Sequence, residues 1–185
     1  GELDGDVFPL EDAELNLTGP GYAKSARSGP DGKYIFSDVP PGRGFTLNAS
    51  ADHYHGMVTT LDIVEDLVVN LTLEERTQEF SVEPDPGNKI PVDSEIRIRF
   101  SERINTSSVD VGLTHRGIPV DHNVTFKENA TVISLRAASP LLFDSVYKLQ
   151  LEPGIRSSRG TDLIWRRISV ELVTERQPIG GVKVR

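Results

Sequence analysis

Ala13-Glu14-Leu15-Asn16-Leu17-Thr18 is the stretch that decides the fold, because apolar and polar side chains alternate along it. Successive side chains of a β-strand point to opposite faces, so a period of two predicts a strand with one buried and one solvent-facing side. Similar segments recur along the chain, separated by turn sequences such as Gly29-Pro30-Asp31-Gly32. No long run places apolar residues at helical spacing. The sequence therefore predicts an all-β fold.

The first half of the chain holds several such segments. They are short, alternate in polarity and are flanked by Gly, Pro or Asp residues, as strands of an all-β domain are. The predicted strands cover residues 3–8, 13–18, 22–27, 33–37, 45–51, 55–64 and 67–73.

The second half repeats the pattern from residue 79 onward. One helical turn is expected at 105–109, since Asn and Ser are good N-caps. The predicted strands cover residues 79–82, 95–101, 109–115, 123–127, 131–136, 146–151 and 168–173.

Glu74-Glu75-Arg76-Thr77-Gln78 is polar, short and free of Gly and Ser, which predicts a stiff linker between two domains. The predicted organisation is one domain over residues 1–75, a linker at 76–78 and a second domain over 79–176. Residues 177–185 are predicted to be a second linker or the start of a further module. We therefore expect the chain to be a fragment of a longer tandem array.

Composition narrows the classes of function. The net charge of −8 argues against nucleic acid as a partner, because binding phosphates requires a basic face, and it disfavours docking on an anionic membrane. The chain has no cysteine, so disulfides and cysteine-based sites are excluded. No stretch is apolar for the roughly 18 residues that a membrane span needs, so this chain is not expected to insert into a membrane.

The asparagines are unusual, because six of the seven stand in the glycosylation acceptor pattern Asn-x-Ser/Thr. At the Ser and Thr content of this chain, chance would produce this with a probability on the order of one in ten thousand. Glycosylation implies export, so the pattern predicts an extracellular or cell-surface protein. The candidate sites are Asn16, Asn48, Asn70, Asn105, Asn123 and Asn129.

A compositional interpretation of the asparagines stays open, since Asn and Thr both favour solvent-facing strand and turn positions. Their placement supports glycosylation. Asn16 lies on the polar side of its alternating segment, Asn70 lies opposite Val69 and Leu71, and Asn123 lies opposite Val124. A bulky glycan is sterically acceptable on that side of a strand.

Residues 1–75 resemble the carboxypeptidase regulatory-like domain, which has a transthyretin-like (prealbumin-like) β-sandwich fold. The resemblance is carried by Pro9-Leu10-Glu11-Asp12-Ala13 followed by Asp31-Gly32-Lys33-Tyr34-Ile35-Phe36 and Val39-Pro40-Pro41-Gly42. Asp12 stands where the family usually has Gly, and Asp52-His53-Tyr54 stands where Gly-Tyr is common. Both departures fall in turns.

Residues 79–175 resemble a bacterial Ig-like domain found in surface and S-layer-type proteins of bacteria and archaea. The matching stretches are Pro84-Asp85-Pro86-Gly87-Asn88-Lys89-Ile90-Pro91-Val92, Glu95-Ile96-Arg97-Ile98-Arg99-Phe100-Ser101 and Pro140-Leu141-Leu142-Phe143. The two resemblances together imply two tandem β-sandwiches, one transthyretin-like and one Ig-like. Both families are mainly spacers, stalks or accessory modules, which implies that neither domain is an enzyme.

The residues themselves suggest little chemistry. His53 and His55 beside Asp52 are predicted to share a strand face, but no third ligand has metal-site spacing, so an exposed pair flanking a core-packed Tyr54 is the preferred interpretation. His115 and His122 are expected at the surface. We find no nucleophile elbow, calcium loop or phosphate loop, and expect no catalytic residue, cofactor or metal.

Two functions fit these observations. The first is a non-catalytic spacer or adhesion module of an exported, N-glycosylated surface protein, as in an S-layer. The second is an accessory module of a secreted hydrolase that binds carbohydrate or protein. The expected partners are neighbouring domains of the same longer chain, with surface glycans or other surface proteins as further candidates.

Overall fold

The structure, a computed structural model, describes residues 7–180. The chain divides into two compact units, Gly1–Thr77 and Gln78–Arg185. Within the described residues the regular structure is β throughout, apart from one 3-10 turn, so the predicted all-β class is confirmed. The predicted strand at 3–8 falls mainly outside the described residues, and Val7 and Phe8 are not in a strand. The predicted segment at 177–185 also extends beyond them.

The first unit is built on one four-stranded antiparallel sheet with the order β2-β1-β3-β4. Alternation places Leu15, Leu17, Phe45 and Leu47 on the inner face, where each is at least 97% buried. The opposite face is polar and carries Asn16 and its neighbours. The strands are β1 (Glu14–Gly19), β2 (Tyr22–Arg27), β3 (Gly42–Ser50) and β4 (Met57–Ile63).

Two predicted strands of the first unit, 33–37 and 67–73, are not strands in the structure. Their alternation is nevertheless real, because Tyr34 and Phe36 on one segment and Val69 and Leu71 on the other are half-buried against the sheet. Neither segment pairs through its backbone with another described strand. The alternation in the sequence predicts burial and does not predict backbone pairing.

The second unit contains two larger sheets that face each other across one core. Their orders are β10-β11-β7-β5 and β6-β15-β12-β8-β9, and a two-stranded ribbon pairs β13 with β14. The strands are β5 (Ser81–Glu83), β6 (Lys89–Ile90), β7 (Glu95–Arg99), β8 (Val111–His115), β9 (Ile118–Pro119), β10 (His122–Lys127), β11 (Val132–Ala137), β12 (Val146–Leu151), β13 (Ile155–Arg156), β14 (Asp162–Ile164) and β15 (Ile168–Thr174).

The core of the second unit comes from the inward residues of both sheets. Ile98 and Leu135 from one sheet and Leu149 and Leu172 from the other are fully buried in a single cluster. Tyr147 is also buried, and its hydroxyl accepts a hydrogen bond from the backbone N–H of Leu142 at 2.9 Å, which satisfies its polar end. Tyr147 is therefore a core residue of the second unit.

Gln78 fixes the beginning of the second unit. Its Oε1 accepts hydrogen bonds from the backbone N–H groups of Trp165 at 2.8 Å and Arg166 at 3.0 Å. The sequence placed Gln78 in the linker, whereas the structure ties it to the second unit. A polar side chain in a short linker gives no signal of such a distant backbone partner.

Candidate functional site

The six candidate glycosylation asparagines lie on the surface of both units. Asn48, Asn70, Asn105, Asn123 and Asn129 are exposed, and Asn16 is half-buried. They do not form one cluster, since three lie in the first unit and three in the second. The structure therefore places these asparagines on the solvent-facing sides of strands and turns, as predicted.

Asn16 and Asn48 lie directly opposite each other on neighbouring central strands. The register of β1 and β3 pairs them, and the register of β1 and β2 places Ser25 on the other side of Asn16. The Asn16 Oδ1 accepts a hydrogen bond from the Ser25 hydroxyl, and its Nδ2 donates to Glu14 at 3.4 Å. The Asn16 side chain is thus hydrogen-bonded to Ser25 and Glu14, and Asn48 makes neither of these two bonds.

Asn70 projects from the extended segment that follows β4. The side chains on either side of it, Val69 and Leu71, pack against the core of the first unit, so alternation directs Asn70 outward. The backbone is anchored here, because the Tyr34 hydroxyl donates a hydrogen bond to the Val69 carbonyl at 2.8 Å. Burial raises the pKa of the Tyr34 phenol, so this donor keeps its proton at neutral pH.

Asn105 caps the 3-10 turn Thr106–Ser108, which confirms the predicted helical turn and its cap. Its Oδ1 accepts from the Ser107 backbone N–H at 3.2 Å and from the Ser107 hydroxyl at 2.7 Å. Capping uses only the carbonyl oxygen of the side chain, and the amide nitrogen is the atom that a glycan would modify. The two roles are therefore compatible.

Asn123 and Asn129 lie at one border of the second unit. Asn123 is exposed on β10, an edge strand. Asn129 occupies the tight turn that connects β10 to β11, with φ of 57°, a left-handed conformation that Asn tolerates better than most residues. Arg103 donates hydrogen bonds to the Asn129 side chain and to its carbonyl oxygen.

The two neighbouring histidines, His53 and His55, do not lie on one strand. His53 has φ of 68° and lies in a turn, and His55 follows the isolated bridge between Tyr54 and Glu75, so the predicted shared strand face is wrong. Positive φ at a non-glycine residue is not readable from alternation. Tyr54 is only half-buried. No group of three potential ligands occurs within residues 7–180.

His115 and His122 lie at strand ends and are half-buried, rather than fully at the surface as expected. The His115 ring packs on Tyr147 with 4.7 Å between centroids, and its Nδ1 is 3.0 Å from the Val146 carbonyl oxygen. His122 holds its Nδ1 2.7 Å from the Val120 carbonyl oxygen.

A polar depression of about 470 Å³ lies on the outer face of the sheet that contains β8 and β12. Its floor is Gly112, above which the space that a Cβ would occupy is open. Glu152 and Arg167 form an ion pair at its margin, with 2.9 Å between Oε2 and Nε. The other polar lining side chains are Asp110, Thr114, His122 and Gln150.

Sequence reasoning missed this depression. The lining residues lie far apart along the chain and share no motif, so only the pairing of β8 with β12 brings them together. The one local signal was Gly112, because a glycine inside a strand removes the side chain that would cover the sheet.

The strongest electrostatic feature is an ion network around Glu95 on the other sheet. Its Oε1 accepts hydrogen bonds from Lys127 at 2.5 Å and Ser134 at 2.6 Å, and its Oε2 accepts from Arg97 at 2.8 Å. These donors, led by Lys127, lower the pKa of Glu95 to about 2. Next to it, Arg99 pairs with Glu128 and lowers the pKa of that carboxyl. Both carboxylates are therefore paired with basic side chains, Glu95 on a strand and Glu128 in the turn after β10.

Comparison with known proteins bears on the second unit. Residues 77–168 match the family model described as bacterial Ig-like domain. The second unit matches the bacterial Ig-like family. Ig-like domains of this family occur in bacterial surface proteins and are generally non-catalytic modules. The match agrees with the Ig-like resemblance predicted for residues 79–175, and the regulatory-like resemblance of residues 1–75 stays a prediction.

No curated protein matches the chain. Within residues 7–180 there is no helix long and apolar enough to cross a membrane.

Proposed function

We propose that this chain is a non-catalytic spacer or adhesion segment of an exported, N-glycosylated cell-surface protein. The observation that carries the proposal is the match of residues 77–168 to the bacterial Ig-like family, whose members serve as surface-protein modules. A sandwich that presents sheet faces and short turns suits the display or spacing of neighbouring domains.

The asparagines support the export part of the proposal. Five of the six acceptor asparagines are exposed, and the remaining one, Asn16, is half-buried on the polar face of its sheet. The side chains of Asn123 and Asn70 are exposed, so both are accessible to modification.

The electrostatics support a non-catalytic role. Catalytic carboxylates commonly lie in clefts with a pKa raised by burial, as general acids require. Among residues 7–180 the carboxylates with displaced pKa values, Glu95, Glu128 and Asp31, are all shifted downward by hydrogen-bond donors. That pattern is typical of structural ion pairs.

The test is mass spectrometry of the native protein together with surface labelling of intact cells. We expect hexose-bearing peptides at several of the six asparagines, and labelling of exposed lysines such as Lys33 and Lys148 by an amine reagent that does not cross membranes. Unmodified asparagines at all six positions, with no labelling before cell lysis, would contradict the proposal.

The polar depression over Gly112 favours a second candidate, an accessory module that binds carbohydrate. Its lining of carboxylates, amide and guanidinium offers the donors and acceptors that sugar hydroxyls use. We expect this candidate to show binding on a glycan array that is lost in Gly112→Leu, which fills the depression, and retained in Gly56→Ala, a glycine of the first unit that tolerates a Cβ. A wild-type chain that binds no glycan would eliminate it.

A further inference from the structure

Within the described residues, the second unit has one long unpaired sheet edge, at β10. The edge strands of its two larger sheets are β5, β6, β9 and β10. β5 has three residues, β6 and β9 have two each, and β9 ends in Pro119, whereas β10 has six. Short strands and prolines are the usual means by which proteins keep sheet edges from pairing with other chains. β10 has neither, and its register with β11 contains no bulge.

The edge begins one residue before β10. The backbone N–H of Ala138 donates to the Asp121 carbonyl oxygen at 2.8 Å, which continues the pairing of β10 with β11, so the edge runs from Asp121 to Lys127 with Val124 at its centre. The chain enters the second unit at β5, the opposite edge of the same sheet. It leaves the unit after β15, which lies next to β6 and away from β9 in the other sheet. Both connections of the unit are thus remote from β10.

The outer face of this edge is complementary in charge to a reversed copy of itself. When a second copy of the strand lies antiparallel to the first with Val124 opposite Val124, Asp121 of each copy faces Lys127 of the other. Asp121 is exposed, and the Lys127 ammonium, which donates to Glu95 at 2.5 Å, has further N–H donors. Opposite charges directly across a strand pair stabilise the pairing. Centring the pairing on either neighbouring residue removes both charge pairs, so charge selects the register centred on Val124.

The inner face of the edge offers apolar contacts in the same register. Val124 and Phe126 lie opposite Leu135 and Ile133 of β11, which are fully buried, so both point to the core side of the sheet. Phe126 is nevertheless 37% exposed, because β10 is the last strand of its sheet. In the register centred on Val124, Val124 meets its own copy and Phe126 meets the His122 ring of the other copy. The apolar core then continues across the junction.

We propose that two copies of the chain associate through β10, with the two strands antiparallel and Val124 on the two-fold axis. The four-stranded sheets of the two copies then form one continuous sheet, and the backbone N–H and C=O groups of the edge gain partners. The same residues of both copies form the contact, so the assembly closes at two copies. The interface is small, so we expect the dimer to be weak and in equilibrium with the monomer.

Single cysteines in the whole chain test the register, because the chain has no cysteine of its own. Residues opposite each other in an antiparallel pair have Cα atoms about 4.5–5.5 Å apart, within the range of about 4.4–6.8 Å that a disulfide spans. We expect Val124→Cys to form a disulfide-linked dimer several-fold faster than Val82→Cys under mild oxidation. Val82 is the matched control, because it is also a half-buried valine packed on the core and lies on β5, at the other edge of the same sheet.

Equal rates for the two variants would overturn the proposal, and so would a Val124→Cys chain that keeps its β-sheet circular dichroism and stays monomeric after oxidation. The chain for these tests is produced in a host that does not glycosylate proteins, because a glycan on Asn123, beside the two-fold axis, would crowd the other copy. The result is therefore independent of whether the acceptor asparagines are modified in the native protein.

Sedimentation velocity of the unsubstituted chain gives a second readout that no folding defect can affect. We expect its sedimentation coefficient to rise with concentration as the dimer forms. Asp121→Lys should raise the dimer dissociation constant several-fold, because it places a lysine opposite Lys127. Glu79→Lys, the same change of charge at an exposed residue before β5, should leave the constant unchanged. A wild-type chain that stays monomeric up to its solubility limit would show that a second copy does not occupy the edge and would overturn the proposal, as would equal weakening by both substitutions.

Discussion

The carboxyl group of Glu95 makes the stability of the fold depend on pH. Its pKa is about 2 in the folded chain and near 4.5 without its partners. A carboxyl with a lowered folded-state pKa stabilises the fold above the unfolded pKa, and this contribution is lost as the pH falls toward the folded value. The relevant window therefore extends from about pH 5 down to about pH 2.

We expect Glu95→Gln to flatten the pH dependence of stability in that window. The variant cannot ionise, so its free energy of unfolding should fall less between pH 5 and pH 2 than that of the wild type. Ser134→Ala, which removes one of the three donors, should give an intermediate slope. Urea unfolding at a series of pH values measures this, and superimposable wild-type and Glu95→Gln profiles would contradict it.

Asn16 and Asn48 give a second prediction about individual residues, and it depends on the proposed glycosylation. Cross-strand partners hold their Cβ atoms about 4.5–5.5 Å apart, which leaves little room for two sugar chains side by side. We expect no single molecule to carry glycans on both, with Asn48 the preferred site because Asn16 is half-buried and hydrogen-bonded.

Mass spectrometry of the peptides that contain each site, combined with intact mass, measures their joint occupancy. In Asn48→Gln we expect occupancy of Asn16 to rise, whereas Asn123→Gln, in the other unit, should leave it unchanged. Doubly modified molecules as the major species would refute the prediction.

At the scale of elements, the packing of β1 on β3 depends on a missing side chain. An ideal Cβ on Gly19 would lie 2.2 Å from Cδ1 of Phe45, a residue that is fully buried. Neither the ring nor the strand can move freely in a packed core, so any side chain at position 19 creates overlap.

Gly19→Ala should therefore destabilise the first unit by about 1–3 kcal/mol, as overpacking does. Gly56→Ala is the matched control in the same unit, because the nearest atom to its added Cβ is an ordinary contact at 3.6 Å. Denaturant unfolding compares the two, and equal stability of both variants would show that the sheet adjusts without cost.

The elements also show what the sequence could predict. Tyr22–Arg27 and Val146–Leu151 match the predicted strands residue for residue. Val146–Leu151 alternates clearly, and Tyr22–Arg27 is bounded by the turn sequences Gly19-Pro20-Gly21 and Gly29-Pro30-Asp31-Gly32. Short strands such as Lys89–Ile90 and Ile118–Pro119 were missed, since two residues contain no period. In the segments at 33–37 and 67–73, alternation predicted which side chains are buried, but it could not predict whether the backbone pairs with another strand.

The candidate sites also differ in whether the sequence alone could predict them. The acceptor asparagines were found from sequence because their pattern is local, spanning three residues. The network around Glu95 and the depression over Gly112 combine residues from strands that are distant in sequence, and a single sequence does not encode which strands meet.

At the scale of the whole molecule, the two units have separate cores. The cluster around Phe45 and Leu47 and the cluster around Ile98 and Leu149 share no residue. Each core can in principle sustain its own cooperative transition. The domain division predicted from sequence can be tested on this basis.

We expect calorimetry to resolve two transitions that respond to different substitutions. Leu47→Ala should lower the transition of the first unit and Ile98→Ala that of the second, each by about 2–5 kcal/mol, the usual cost of deleting a buried Leu or Ile side chain. A single transition that both variants lower equally would contradict independent folding.

The parallel pairing of β6 with β15 has a mechanical consequence. It joins the beginning of the second unit to its end through Val173 with Lys89 and Thr174 with Ile90. A tension applied at Gln78 and Glu175 would pull these two strands in opposite directions along their length, so their hydrogen bonds would be sheared together instead of opening one by one. Ile90 and Thr174 are fully buried, which keeps water away from these bonds. We therefore expect the second unit to resist tension applied along the chain.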